Sequence, residues 1–274
     1  MHTLYQQMAG DTLAETLTRL ESDIKARPTD ADLRAAFVQL LCLAGNWQRA
    51  RTQLKSWLAL KPQAKPAVTL LEQAIDGELE RQQVMAGQAA PRMPEQAWPW
   101  LAHLVSALEA DSRGDLAAAQ ALREQALDAA AANPGQLRAS DEDHAFDWLM
   151  DGDARLGPVC ELIVNGHYFW APFSAIAEIE CLAPSGVVDL VWRHARVCLV
   201  DGTEQVCQIP ARYPVSADTA DRFLLGRETH WQPRDSEGSQ CIGQGQKVLL
   251  NADNAFPFLT LEHLTFTASE PAHE

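Results

Sequence analysis

The sequence predicts an α+β multidomain fold, in which an N-terminal helical array of degenerate tetratricopeptide-like repeats precedes a small, mainly antiparallel β domain. Three observations predict this fold. Apolar residues recur at helical spacing up to residue 132, a glycine turn repeats within that half, and strand patterns with turn signals fill the rest. We expect a helical repeat-like domain at 1–135, an acidic junction at 136–156 and a β-rich domain at 157–274.

Six apolar stripes with steps of three and four residues predict six helices in the first half. Proline and glycine interrupt the stripes, and Asn46 and Asp115 each follow a glycine and are predicted to cap the next helix. The stripes are Leu13, Leu17, Leu20 and Ile24; Leu33, Phe37, Leu40 and Leu41; Trp47, Ala50, Leu54 and Leu58; Val68, Leu71, Ile75 and Leu79; Leu101, Leu104, Val105 and Leu108; and Leu116, Ala119, Leu122 and Ala126.

A glycine turn repeats along this half. Gly10, Gly45 and Gly114 each precede Asp or Asn and lie 35 and 69 residues apart, and the second gap is twice a period typical of tetratricopeptide repeats. Ala50 and Ala119 follow their glycines at the same distance, where a small side chain lets two helices approach closely. These features favour a degenerate repeat array over an ordinary helical bundle with coincidental glycines.

The segment 155–172, RLGPVCELIVNGHYFWAP, predicts a hairpin that is buried on both faces. Asn165-Gly166 signals a two-residue turn, since both central positions of a type I′ turn need positive φ. This turn places Ile163 opposite Tyr168, and both faces of the hairpin are largely apolar. We therefore expect one face to pack on its own sheet and the other on the helices. A second hairpin with Asp201-Gly202 at its turn, and strands at 176–182, 246–250 and 258–266, are also predicted.

Composition narrows the classes of partner and compartment. A formal net charge of −15 argues against binding to phosphate backbones or anionic lipid, so we expect neither a nucleic-acid nor a membrane partner. Residues 140–274 hold 8 basic against 21 acidic residues, whereas residues 1–139 hold 14 against 16.

Neither a signal peptide nor a membrane span is apparent, which predicts a cytoplasmic protein. The six cysteines form no C-x-x-C pair and are expected to be buried thiols.

The sequence contains no familiar catalytic or cofactor-binding motif. One cluster has the residue types of a metal or acid–base site: His144 stands among Asp141, Asp143 and Asp147. The alternative hypothesis is therefore a metal-dependent enzyme with its site around Asp141–Asp147. We favour a solvated acidic junction, and we expect no catalytic residue, no bound metal and no cofactor.

The segment AFDWLMDGDARLGPVCELIVNGHYFWAPFSAI, residues 145–176, resembles the signature of the ImpE/TagJ family of bacterial type VI secretion system accessory proteins. The similarity continues at 189–192, 209–214 and 243–246, and His167 stands where the family commonly has Arg. The motif residues, with a structural or partner-binding role, are Trp148, Asp153, Arg155, Gly157, Pro158, Asn165, Gly166, Tyr168, Trp170, Trp192, Arg212 and Tyr213.

The resemblance implies a non-catalytic, cytoplasmic adaptor. Its implied partner is the small subunit of the contractile sheath, a TssB-like protein, with a link to the ClpV ATPase. We expect it to capture an amphipathic helix of that subunit, in either the helical array or the β domain. A further hypothesis is strand addition at an exposed edge near 258–266.

Overall fold

The computed structural model describes residues 11–95, 98–235 and 237–267. Gly10, the first glycine of the predicted repeat, lies outside them. The predicted class is confirmed, since helices fill the first half and antiparallel strands the second. The helices are α1 (Leu13–Ala26), α2 (Ala31–Leu43), α3 (Trp47–Leu60), α4 (Lys65–Met85), α5 (Leu101–Ser112), α6 (Leu116–Ala129) and the short α7 (Asp221–Leu224).

The two described glycine turns join packed helices. Gly45, between α2 and α3, and Gly114, between α5 and α6, have φ of 71° and 78°, a conformation that favours glycine. Ala50 and Ala119 are fully buried, as a close helix crossing requires. Asp115 caps α6 by accepting a hydrogen bond from the N–H of Ala118 at 3.1 Å. The predicted cap at Asn46 is wrong, because its side chain makes no capping hydrogen bond to the first turn of α3.

The second half forms an eight-stranded antiparallel sheet in the order β2-β1-β13-β6-β7-β8-β4-β5, with two smaller sheets beside it. The hypothesis of strand addition near 258–266 is wrong, because β13 pairs with β1 on one side and β6 on the other. The strands are β1 (Gly135–Ala139), β2 (Glu142–Phe146), β3 (Met150–Asp151), β4 (Val159–Val164), β5 (His167–Pro172), β6 (Ile176–Cys181), β7 (Trp192–Leu199), β8 (Glu204–Pro210), β9 (Thr229–Pro233), β10 (Cys241–Gly245), β11 (Val248–Leu250), β12 (Ala255–Pro257) and β13 (Leu261–Phe266).

The β4–β5 hairpin has the predicted register and is buried on both faces. Ile163 pairs with Tyr168, and Asn165 and Gly166 have φ of 51° and 87°, as a type I′ turn requires. One face, with Leu162, belongs to the core inside the sheet. The other face, with Ile163 and Tyr168, belongs to the core shared with the helices, where α4 packs across the hairpin.

Replacing Gly166 by Val should lower the free energy of unfolding by about 1–3 kcal/mol, because a β-branched residue is strained at positive φ. A Cβ at this position would also lie 3.6 Å from Cα of Gln73 in α4. Thermal and urea unfolding would measure the change. Gly186→Val is the control, since Gly186 has an extended φ of −154° and its added Cβ would meet only an oxygen of Gln39, at 3.9 Å. Equal stability of the two variants would contradict the turn geometry.

Candidate functional site

Several of the family-motif residues, among them Tyr168, Trp192 and Arg212, converge where α4 meets the sheet. Residues 152–158, which we call the motif loop, connect β3 to β4. The Asp153 carboxylate holds this loop closed, because it accepts hydrogen bonds from the Arg155 guanidinium at 2.9 and 2.6 Å and from the Arg155 backbone N–H at 3.0 Å. It also accepts from the N–H of Gly243 in β10 at 2.9 Å. One buried carboxylate therefore fixes both the loop and a neighbouring strand.

A buried charge network lies beside the motif loop. Its centre is Glu161, which Arg81 of α4 contacts through Nε at 2.7 Å and Nη2 at 2.9 Å. The Lys247 ammonium lies 2.7 Å from the same carboxylate and also pairs with Asp151. Arg81 further binds Glu78, one turn away on α4, at 3.0 Å. Its members are Glu78, Arg81, Asp151, Glu161, Arg212 and Lys247, each at most 4% exposed.

Arg212 completes the charge balance, with three cations against three carboxylates. Its guanidinium donates to the carbonyl oxygens of Cys42, Leu43 and Leu224 at 2.6–2.9 Å, so it joins the end of α2 to the sheet. The Arg81 guanidinium in turn donates to the Arg212 carbonyl at 3.1 Å. The network thus connects α2, α4 and the β domain through ion pairs between side chains and through hydrogen bonds from guanidinium groups to backbone carbonyls.

The motif aromatics supply neutral donors to the same carboxylates. Tyr168 donates its hydroxyl hydrogen to Glu161 at 2.6 Å, and the Trp170 indole N–H donates to the Tyr168 oxygen at 2.7 Å. Trp192 donates to Glu78 at 3.1 Å, and Tyr213 donates to Asp151 at 2.9 Å. Because buried carboxylates need several donors to remain ionised, these aromatics stabilise the network beyond their apolar packing.

Burial and pairing set the protonation of the network. Burial alone would raise the pKa of Glu161, but Arg81 and Lys247 lower it far below its usual range. Burial raises the pKa of Asp151 despite the nearby Lys247. Burial lowers the pKa of Arg212 to about 10, and its hydrogen-bond acceptors are backbone carbonyl oxygens rather than carboxylates. The paired and buried groups form a joint between the helices and the sheet, and we interpret the network as structural.

Not every motif residue belongs to this joint. Asn165 and Gly166 lie at the hairpin tip against α4. Gly157 and Pro158 line an open groove described below, and Trp148 is half-buried between β2 and β3, outside the network. The members Glu78, Arg81, Glu161 and Lys247 were missed by the sequence analysis, although a glutamate inside the apolar strand Val159–Val164 was a usable signal.

The acidic segment 136–156 contains strands β1–β3 rather than a metal-binding cluster. Asp143 lies 3.2 Å from the Arg138 guanidinium, which also contacts Glu262 at 3.1 Å, and the His144 ring packs against Phe256. The side chains of Asp141 and Asp143 are 92% and 72% exposed. Among the described residues, no group of three His, Cys, Asp or Glu side chains is placed to hold a metal ion. This geometry gives the metal-dependent alternative no support.

An open groove lies on the other side of the motif loop. We call it the α6 groove; it has a volume of about 540 Å³ and separates α5 and α6 from the β domain. Its wall on the helical side includes Arg123 and Leu127 of α6. The groove is also lined by two carboxylates, Glu124 and Asp151, and by Leu104, Met150, Gly152, Gly157, Pro158, Trp231, Gln240 and Leu250.

No helix in the part of the chain that the structure describes is long and apolar enough to span a bilayer.

Comparison with known proteins gives a consistent result. The family model described as ImpE protein matches residues 143–265, which include the motif loop, the hairpin and most of the sheet. The chain is 42% identical over 220 residues to the type VI secretion system accessory component TagJ of Pseudomonas aeruginosa, covering 80% of this chain and 77% of that protein. The crystal structure of a Vibrio parahaemolyticus protein superposes with a TM-score of 0.83 at 28% identity, over 93% of this chain and 94% of the other. The chain belongs to the ImpE/TagJ family of type VI secretion system accessory proteins.

Proposed function

We propose that the protein is a non-catalytic adaptor of the type VI secretion system that binds the small sheath subunit, a TssB-like protein, and links it to the ClpV ATPase. The observation that carries the proposal is the 42% identity to an accessory component over 80% of the chain. The architecture is consistent with it, because a helical array braced on a sheet by a buried network is a rigid scaffold for binding another protein.

The proposed binding mode is capture of an amphipathic helix. Such a helix places apolar side chains at i, i+3, i+4 and i+7 into a hydrophobic groove, while its polar face remains in water. The surface offers grooves of suitable size, including the α6 groove and a shallower one of about 480 Å³ along α5. We place this interaction in the bacterial cytoplasm, as the family resemblance implies.

Co-purification tests the proposal. Full-length protein should retain the cognate small sheath subunit, and deletion of the subunit's N-terminal segment should abolish the retention, because that segment supplies the helix. A third sample with ClpV should show whether the ATPase is recovered only when the adaptor is present. Retention of the truncated subunit at wild-type level would contradict helix capture, and no retention of either form would contradict sheath binding itself.

A further inference from the structure

We propose that the outer edge of strand β2 is a further interaction surface, which binds an extended, basic segment of a partner protein by strand addition. The eight-stranded sheet ends in two edge strands, β5 and β2. The chain itself covers the edge at β5, whereas the edge at β2 is open in the described part of the chain. This inference goes beyond the proposed function, because it does not depend on where the sheath subunit binds.

The edge at β5 shows how an extended segment adds to this sheet. Arg92 forms an isolated parallel bridge with Phe169. The Arg92 backbone N–H donates to the carbonyl oxygen of Tyr168 at 3.2 Å, and its carbonyl oxygen accepts from the N–H of Trp170 at 2.8 Å. These backbone groups of β5 are therefore paired within the chain and are not available to a partner.

The edge at β2 presents backbone groups to solvent. A two-residue turn joins β1 to β2, and its residues Ser140 and Asp141 have φ of 53° and 64°, as in a type I′ turn. In such a hairpin the pair of residues that flanks the turn exchanges backbone hydrogen bonds, and bonded pairs then alternate along the two strands. The N–H and C=O groups of Asp143 and Ala145 therefore point away from β1, toward the open edge.

Strand β2 is held firmly on one side and exposed on the other. The His144 ring packs against Phe256 and the Phe146 ring packs against Phe266, so the inner face of the strand is fixed to the domain. Ala145 is exposed, and the Asp143 side chain is 72% exposed. An ordered strand with accessible edge groups is the template that strand addition requires, since main-chain hydrogen bonds supply the affinity.

The charge around this edge favours a basic partner. Between residues 136 and 148, four carboxylates stand against one guanidinium, that of Arg138, and one imidazole, that of His144. Arg138 already lies 3.2 Å from Asp143 and 3.1 Å from Glu262. The side chains of Asp141 and Glu142 are 92% and 78% exposed. Lys or Arg side chains on an added strand would therefore lie close to carboxylates that are accessible from solvent.

The same charge decides between a partner and a second copy. Charged residues on an edge generally prevent pairing with other chains, but this protection depends on the sign of the strand that approaches. Two β2 edges would bring their own carboxylates together, and like charges on neighbouring strands are destabilising. A basic strand would meet attraction instead, so the edge selects a partner of opposite charge.

The side chains on the solvent face of β2 specify the added sequence further. Asp143 and Ala145 lie two positions apart, so both side chains are on the same face of the strand. A residue opposite Asp143 would be favoured as Lys or Arg, whereas the small side chain of Ala145 leaves room for a β-branched neighbour. The expected pattern is a basic residue and a β-branched residue separated by one position.

A synthetic peptide of alternating Lys and Val, blocked at both ends and about six residues long, is the probe, because this is the length of a typical strand. Its binding to the full-length protein would be measured by fluorescence anisotropy. Amide exchange would be followed at the same time, and the N–H groups of Asp143 and Ala145 should be protected when the peptide is bound.

A proline in the edge tests the backbone contact. Ala145→Pro removes an N–H that points outward, so it blocks an added strand but keeps the hydrogen bonds between β1 and β2. Ala145→Val is the matched control, because it retains the N–H at the same position. We expect Ala145→Pro to weaken peptide binding about tenfold and Ala145→Val to change it less than about twofold. Melting temperatures of both variants would verify that the fold is intact.

Charge reversal tests the preference for a basic segment. Asp143→Lys should weaken binding of the Lys–Val peptide about tenfold, whereas Asp218→Lys should change it less than about threefold. Asp218 is the matched control because it is an exposed aspartate in the turn after Pro214, outside strand β2, and its replacement changes the net charge equally. A peptide with Glu in place of Lys should bind wild-type protein at least about tenfold more weakly.

Three results would overturn the inference: no binding of the Lys–Val peptide to wild-type protein, equal binding by Ala145→Pro and Ala145→Val, or equal binding of the Lys–Val and Glu–Val peptides. Sedimentation of the protein alone provides a further check. A dimer that Ala145→Pro abolishes would show that the edge pairs with a second copy, and it would overturn the basic partner.

Discussion

Replacing Glu161 by Leu should lower the free energy of unfolding by about 3–5 kcal/mol, because it leaves two buried cations without their shared carboxylate. Arg81 and Lys247 lie 2.7 Å from Glu161, and Tyr168 would lose the acceptor of its hydroxyl. Leu has a volume similar to that of Glu, so the loss would come from uncompensated charge rather than from a cavity. Urea unfolding at neutral pH would measure it.

Two controls separate the network from general effects of charge removal. The double variant Arg81→Met with Glu161→Leu removes both partners, and it should be more stable than Glu161→Leu alone, because one uncompensated cation is gone. Glu180→Gln removes one partner of the exposed pair with Arg196, at 2.8 Å, and it should change stability far less. A Glu161→Leu variant as stable as Glu180→Gln would show that the network does not hold the helices to the sheet.

The Glu161→Leu variant should also change how the free energy of unfolding depends on pH under acidic conditions. Burial opposes ionisation of Glu161, but Arg81 and Lys247 outweigh burial and keep its folded pKa well below the ordinary 4.5. A carboxyl with a depressed folded pKa contributes stability that is complete above the unfolded pKa and is lost as pH falls toward the folded pKa. Glu161→Leu should therefore flatten the decrease of unfolding free energy below about pH 4.5. Identical pH slopes of variant and wild type would contradict the paired, ionised state.

The hairpin was predictable because its determinants are local. Asn165 and Gly166 set the turn, and the turn sets every cross-strand pair up to Val159 and Pro172. Successive side chains of a strand point to opposite faces, so the register assigns each side chain to one face of the hairpin. Two apolar faces then require two packing partners, one on each side. No residue far away in sequence was needed for these inferences.

The network was not predictable, because its partners are distant in sequence. Arg81 and Glu161 are 80 residues apart, and Lys247 and Asp151 are 96 apart. A charge in an apolar strand indicates that some partner exists but does not identify which cation supplies it. The resemblance marked Tyr168, among other motif residues, without indicating that its hydroxyl binds Glu161.

The acidic segment shows a different limit of sequence reasoning. Apolar and polar residues do not alternate clearly along residues 142–146, because β2 is an edge strand of the sheet and its outer positions are charged. Charged residues on an edge strand prevent pairing with other chains, so high charge is compatible with a strand. The density of carboxylates in the sequence suggested a junction or a metal site. In the structure, Asp143 and Glu262 pair with Arg138 because their strands are neighbours in the sheet.

Gly77 of α4 determines how closely the helices approach the hairpin. It is a buried glycine in the interior of a helix, where glycine costs about 1 kcal/mol relative to alanine. A Cβ built on it would lie 2.4 Å from Cγ2 of Ile163 and 2.9 Å from Cγ1. The helix therefore contacts β4 through its backbone, and Arg81, one turn later, reaches Glu161 because of this approach.

Replacing Gly77 by Leu should lower the free energy of unfolding by about 3 kcal/mol, since the added side chain overpacks the contact and moves α4 away from the hairpin. Gln83→Leu is the matched control, because Gln83 lies on the exposed side of the same helix. Urea unfolding of both variants would measure the difference. The loss should be partly reversed by Ile163→Ala in the Leu variant, because that change makes room at the point of contact. If Gly77→Leu were as stable as Gln83→Leu, α4 would not be held against β4 by a backbone contact, and the geometry that brings Arg81 to Glu161 would need another cause.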